Sequence, residues 1–322
     1  MLGAWRSGRM PHAWLVGGPR GIGKATLAYR FARFVLAQGQ GTASLPGMPA
    51  DSLEIPVSAP VFRRVAAGSH ADLLSLEPGM LHPETNKPTQ DIVVGHVRRA
   101  IDFLLKTAAE GGWRVVVIDE AEAMNRSAAN ALLKILEEPP SNCLLLLVSH
   151  NPGRLLPTIR SRCRLLTLQP LAPSDVDALL AELRPTLDAS ERQILVELAN
   201  GSIGRALELA DSGGGELFRE VDGLLGRLPD LDVPAAHAFT DRFVRAGEGA
   251  DAGFRMVMEL IADWIERRLT TGRIAGPLWF DARDRVRRLA GLADGLNLDR
   301  KQVLLGALLA VQRAAAAAVR PR

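Results

Sequence analysis

Gly18-Pro-Arg-Gly-Ile-Gly-Lys24 is the stretch that decides the fold class. A glycine, four residues, then Gly-Lys is the spacing of a phosphate-binding P-loop. The turn follows Trp14–Gly17, which reads as a short strand. It precedes Ala25–Ala37, where Leu27, Phe31, Phe34 and Val35 recur at helical spacing. Backbone amides of such a turn, aimed outward at a helix N-terminus, make an anion site, and a lysine there reaches the terminal phosphates. Gly18, Gly21, Gly23 and Lys24 are therefore candidate nucleotide-binding residues. The next residue is ordinarily Ser or Thr, whose hydroxyl holds Mg²⁺. Here it is Ala25, and Thr26 does not replace it, because one helical step turns a side chain by about 100°. The plainer reading is a glycine-rich turn with no ligand. The flanking strand and helix favour a P-loop with a damaged metal site.

The rest of the first half alternates in the same way. Leu73–Glu77 reads as a strand and Ile92–Leu105 as a helix. Val115–Ile118 is a continuous β-branched run, as expected where helices cover both sheet faces. Asp119 and Glu120 close that run. An acid at the end of a buried strand is where a metal partner and a water-activating base belong, so Asp119 is the candidate metal acid and Glu120 the candidate base. Ser127 is placed as the cap of a helix from Ala128 to Glu138, ended by Pro139 and Pro140. Leu144–Ser149 and Arg164–Leu168 supply two more strands. The segment from Gln38 to Gly68 has weak periodicity and reads as a long surface excursion. The pattern predicts a doubly wound α/β domain over 1–170.

Beyond Pro170 everything reads as helix. Ser174 is placed as an N-cap before Val176, Leu179, Leu180 and Leu183, and a small bundle fits Ser174–Ala210 with turns at Arg184–Thr186 and Asn200–Gly201. Ser212-Gly-Gly-Gly215 reads as a linker. Five helices follow, around Glu216–Arg227, Pro234–Arg245, Ala252–Thr271, Phe280–Leu292 and Asp299–Val319. The domain reading is 1–170, 171–212 and 213–322.

Composition limits the function classes. With 322 residues, 47% hydrophobic and 23% charged, the chain is a multidomain soluble protein. A net charge of +3 advertises no strongly basic nucleic-acid surface. Two cysteines, Cys143 and Cys163, exclude a disulfide framework and suit a reducing cytoplasm. No apolar run approaches the ~20 residues of a membrane span, and no signal peptide is recognisable.

Asn130-Ala-Leu-Leu-Lys-Ile-Leu-Glu-Glu-Pro-Pro140, followed by Ile159-Arg-Ser-Arg-Cys163, closely resembles bacterial DNA polymerase III clamp-loader subunits. These AAA+ proteins comprise the gamma/tau subunits and their relative delta-prime, and the resemblance runs from about Pro11 to Ala206. It implies a RecA-like α/β domain, a helical lid and a C-terminal helical collar. It also implies that Arg162 is a trans arginine finger reaching a neighbour's nucleotide, a role suited to a planar, permanently charged guanidinium. By the same resemblance Ser149 occupies the sensor-1 position, and Gly201-Ser-Ile-Gly-Arg-Ala206 the sensor-2 motif, with Arg205 facing nucleotide.

Departures from the family narrow the expectation. Many relatives carry a four-cysteine zinc module; the equivalent stretch here, Val57–His70, has no cysteine, so no zinc is expected. Most of the N-terminal segment that helps cup adenine in relatives does not precede His12, so either the start lies elsewhere or the base site is incomplete. Ala25 departs from the active gamma type and fits delta-prime. The expectation is a cytoplasmic stator in a hetero-pentameric ring with gamma/tau and delta, acting on the sliding clamp and primed DNA through that complex. It would need no cofactor, and at most weak ATP binding would persist through the loop amides and Lys24. An active gamma-type ATPase is the first alternative, favoured by Asp119 and Glu120. A P-loop kinase is the second, disfavoured by the Ser-Arg-Cys motif and the helical C-terminal half.

Overall fold

The computed structural model describes residues 1–38, 52–110, 112–243, 250–296 and 298–319. The chain forms two compact units. One comprises Met1–Ala172 with Gly201–Gly204, the other Pro173–Asn200 with Arg205–Arg322.

The first unit runs α1 (Leu2–Arg6), β1 (Ala13–Gly17), α2 (Lys24–Gln38), α3 (Pro60–Ala66), β2 (Leu73–Leu76) and α4 (Val94–Leu105). It continues with β3 (Arg114–Ile118), α5 (Arg126–Glu137), β4 (Cys143–Ser149), α6 (Pro157–Arg160) and β5 (Arg164–Thr167). The five strands pair in parallel in the order β2-β3-β4-β1-β5. Strand β4 shows why the apolar runs are unbroken. Leu145 and Leu147 pack with α4, α5 and α6 on one face. Leu144, Leu146 and Val148 pack with α2 and α3 on the other. Period-two alternation with both faces buried leaves no polar position between Cys143 and Val148.

Strand register brings the functional ends together. Gly17 is level with Ser149 of β4 and Thr167 of β5. Because β1 lies between β4 and β5, the chain leaves it toward β2 on one side while β4 connects to β5 on the other. Ligands of open α/β sheets bind at such a reversal, outside the carboxyl ends of the strands.

Local details differ from the sequence reading. Asn125, not Ser127, caps α5: its side chain accepts from Ala128 N at 2.9 Å, while Ser127 already lies in the first helical turn. Of the expected surface excursion, 39–51 lies outside the described residues. The rest contains α3, whose Val61 and Val65 are buried in the α2 core and whose Phe62 ring lies 4.2 Å beneath the Arg33 guanidinium. Seven residues are too few to show a period, so this helix is visible only through its packing. A charged knot follows just beyond this stretch. Asp72, 1% exposed, accepts from Ala109 N at 2.8 Å and Glu110 N at 3.0 Å, and lies 3.6 Å from Arg114 Nη2.

The second unit holds α7 (Pro173–Leu183), α8 (Ala189–Ala199), most of α9 (Ile203–Asp211), α10 (Gly214–Leu225), α11 (Val233–Asp241), α12 (Ala250–Thr270), α13 (Pro277–Leu296) and α14 (Arg300–Val319). The first of these begins at Pro173, a favoured first helical residue, so Ser174 is inside the helix and does not cap it. The end expected for α11, Arg245, lies outside the described residues. The Ser212–Gly215 reading as a linker is corrected. Gly213, at φ +69°, turns the chain, and Gly214 and Gly215 are buried in the first turn of α10. A Cβ on Gly214 would sit 2.7 Å from Leu209 Cδ2 and 3.0 Å from the Leu209 carbonyl oxygen. Two helices therefore meet at backbone distance here, and the glycines serve close packing.

Candidate functional site

The P-loop is built by backbone torsions that only glycine tolerates without strain. Gly18, Gly21 and Gly23 have φ of +144°, +74° and +91°. At Gly18 there is also no room, since a Cβ would stand 2.5 Å from the Leu168 carbonyl oxygen. The loop is closed by a segment that lies far away in sequence. Gly204 N donates to Gly21 O at 2.8 Å, and a Cβ on Gly204 would be 2.9 Å from Gly21 Cα.

Lys24 is 3% exposed, and its Nζ donates to Pro19 O at 2.5 Å, so the amine is turned back onto its own loop. Burial pushes its pKa down, against the pull of the nearby carboxylates Glu122, Asp119 and Glu120. Ala25 follows with a methyl group, and Thr26 is exposed on α2. The loop thus offers amides for an anion but no oxygen for its Mg²⁺.

Across from the loop, Asp119 at the end of β3 accepts from Glu120 N at 2.9 Å. Glu120 takes a left-handed conformation, φ +47°, which is uncommon outside glycine. Its Oε1 lies 3.3 Å from His150 Nε2 and 3.9 Å from Arg20 Nη2. The candidate base is therefore held among two basic side chains of its own chain. Ser149, fully buried at the end of β4, accepts from Asn151 N at 3.2 Å.

Glu122 and His150 complete this end of the sheet and were not singled out in the sequence. Glu122 Oε1 accepts from the amides of His150 at 2.8 Å and Asn151 at 3.2 Å. Burial pushes its carboxyl up, but these amides, its own amide and the Ser149 hydroxyl outweigh burial and hold it below the usual carboxylate range. Glu122 thereby pins the turn after β4 to the turn after β3. The repeated acid in Asp119-Glu-Ala-Glu122 was the available signal.

Arg162 lies elsewhere on the same unit, just past α6. Ile159, 0% exposed, anchors that short helix in the core, and the Arg162 guanidinium is half-exposed beside Glu137 of α5. Arg205 belongs to the second unit, where its guanidinium bonds Asp263 of α12 and lies 3.9 Å from Glu259. Burial raises the carboxyls of both acids despite the pull of Arg205. The sequence motif did not reveal that Arg205 is engaged by an acid 58 residues away. Cys143 is buried in the core and Cys163 is half-buried against it, with thiols pushed by burial to about 11 for Cys143 and about 12 for Cys163. They stay protonated at neutral pH and are poor nucleophiles.

A family model described as DNA polymerase III, delta subunit matches residues 2–172, just over half of the chain. The delta-prime subunit of DNA polymerase III from Pseudomonas aeruginosa is 41% identical over 206 residues, 63% of this chain and 56% of that protein. The match thus spans little more than half of that relative's length. Its counterpart from Escherichia coli is 29% identical over 307 residues, 95% of this chain and 83% of that one. A solved DNA polymerase III gamma subunit-related protein of Thermotoga maritima aligns with a TM-score of 0.51 at 18% identity, covering 98% and 99% of the two chains. That likeness shows a shared fold.

Proposed function

The chain belongs to the family of DNA polymerase III delta subunits, and from that premise we propose that it is the delta-prime stator of a bacterial clamp loader. In this reading it completes a pentameric ring with gamma/tau and delta subunits in the cytoplasm. The ring opens and places the sliding clamp on primed DNA. No helix among the described residues is long and apolar enough to cross a membrane, which is compatible with that setting.

The observation that carries the reading is the pairing of a P-loop without its hydroxyl with a surface-presented Arg162. The chain's own loop lacks a side-chain hydroxyl at Ala25, and the half-exposed position of Arg162 supports its acting on a nucleotide of another subunit. Its role is to stabilise charge developing on the transferred phosphate, an effect worth roughly 10³–10⁵-fold in GTPases served by such a finger. Lys24 and the loop amides retain weak affinity for nucleotide at most, and zinc has no part.

One observation favours the second reading, an active gamma-type ATPase: Asp119 and Glu120 remain at the end of β3. Steady-state ATP turnover separates the two. The purified chain should hydrolyse ATP at background. The reconstituted ring should turn over with primed DNA and lose part of that rate with Arg162→Ala while remaining assembled. Magnesium-dependent turnover by the isolated chain, abolished by Lys24→Ala, would establish the ATPase reading instead.

A further inference from the structure

Arg162 is held by its own chain at three points. Its Nη2 lies 2.9 Å from Glu137 Oε1, and its Nη1 donates to Thr158 O at 3.1 Å and to Ser161 Oγ at 3.3 Å. A guanidinium has five N–H groups, so donors remain for a further acceptor. Both partners of the ion pair stand on the same core. Glu137 ends α5 directly after buried Ile135 and Leu136, while Arg162 sits between buried Ile159 and half-buried Cys163; the first three belong to one hydrophobic cluster, and Cys163 packs against it. Arg162 N also donates to Ile159 O at 3.1 Å, closing the turn beneath the side chain. The backbone on each side of the pair is thus rigidly seated.

A long arginine side chain loses much rotamer freedom when it grips a phosphate. We infer that Glu137 is a positioning residue for Arg162: its carboxylate orients the guanidinium before an adjacent subunit's phosphate arrives. Thr158 O and Ser161 Oγ assist, but they move with Arg162 on one short segment. Among the described residues, Glu137 alone ties the guanidinium to a different helix, which sets its direction relative to the domain. The pair orients Arg162 without locking it, because both side chains are partly in water, 36% and 50% exposed, and such pairs contribute little to stability. A polyphosphate carries more charge than one carboxylate and takes over the guanidinium.

This inference rests on the reading of Arg162 as a finger acting in trans, and the test separates the two. Rings assembled with the full-length chain carry wild type, Glu137→Ala, Glu137→Gln, Arg162→Ala or the double variant Glu137→Ala/Arg162→Ala, with Glu138→Gln as an exposed neighbour control. ATP turnover on primed DNA is measured across ATP concentrations. The Arg162-dependent part of kcat, the difference between wild type and Arg162→Ala, should fall about two- to fivefold in Glu137→Ala and less in Glu137→Gln, scaled to an exposed pair. KM for ATP should not move, because orientation acts on the transition state. Thermal unfolding and assembly should match wild type, and the double variant should equal Arg162→Ala. Wild-type or faster turnover in Glu137→Ala, or a further loss in the double variant, overturns the positioning role while leaving the finger intact. A wild-type rate in Arg162→Ala overturns the finger itself.

Discussion

Replacing Asp72 with alanine should unfasten the β2–β3 edge of the α/β unit. The carboxylate accepts from two amides, at 2.8 and 3.0 Å, and lies 3.6 Å from an Arg114 guanidinium that is itself nearly buried. Among the described residues, Arg114 otherwise has only the carbonyls of Phe103 and Thr107 and the Phe103 ring, 4.5 Å from its centre. Each hydrogen bond to a charged group is worth about 1.5–3 kcal/mol, though water can re-solvate the Ala109 and Glu110 amides, which are not deeply buried. Removing one partner of a buried pair strands the other charge, a loss of about 3–5 kcal/mol. The two figures describe overlapping effects, so the expected total is about 3–5 kcal/mol. With a urea slope of about 2–3 kcal/mol/M, the midpoint falls by roughly 1–2.5 M. Amide hydrogen exchange of β3 peptides along a urea series gives the local reading, since Val115 N is bonded to Asp72 O at 2.9 Å. A double variant, Asp72→Ala with Arg114→Met, should lose less than the two single losses added together. A loss under about 1 kcal/mol for Asp72→Ala would refute the argument that the buried guanidinium depends on this carboxylate.

Three further outcomes are expected. Burial lowers the pKa of His70 below its ordinary 6.5, with Glu110 and Asp72 pulling upward and Arg64 downward. The unfolded chain therefore binds the proton more readily, so this contribution is complete above pH 6.5 and is lost as pH falls through the folded value. Chemical denaturation at pH 7 and pH 5 should show a smaller acid loss in His70→Asn, and an unchanged slope would remove His70 as the cause. Gly204→Ala should push the start of α9 off Gly21, costing about 1–3 kcal/mol as other overpacked contacts do, with faster amide exchange over 18–24. Unaltered exchange there would mean the contact is slack. Gly223→Ala, in α10 with nothing within 4 Å of the added methyl, should instead stabilise by about 0.4–1 kcal/mol, checked by thermal unfolding.

The sequence by itself determined the elements that carry their own periodicity and chemistry. Continuous apolar runs marked β3 and β4, because a strand covered on both faces has no polar side to show. Glycine spacing marked the P-loop, because its positive φ angles exclude other residues, and Ala25 marked the missing hydroxyl. The motif after α6 singled out Arg162. Tertiary structure decided what depends on meetings between distant segments. Whether Arg205 is free or bound rests on Asp263, 58 residues away, and the P-loop's rear wall is Gly204. Helix α3 exists because Val61 and Val65 find the α2 core, and Gly214 turns inward because Leu209 approaches its backbone. Arg162 is likewise paired at 2.9 Å with Glu137, which stands on a different helix. Periodicity reports which face of an element is apolar, whereas the partner of a charge is set by three-dimensional proximity, which has no period in the chain.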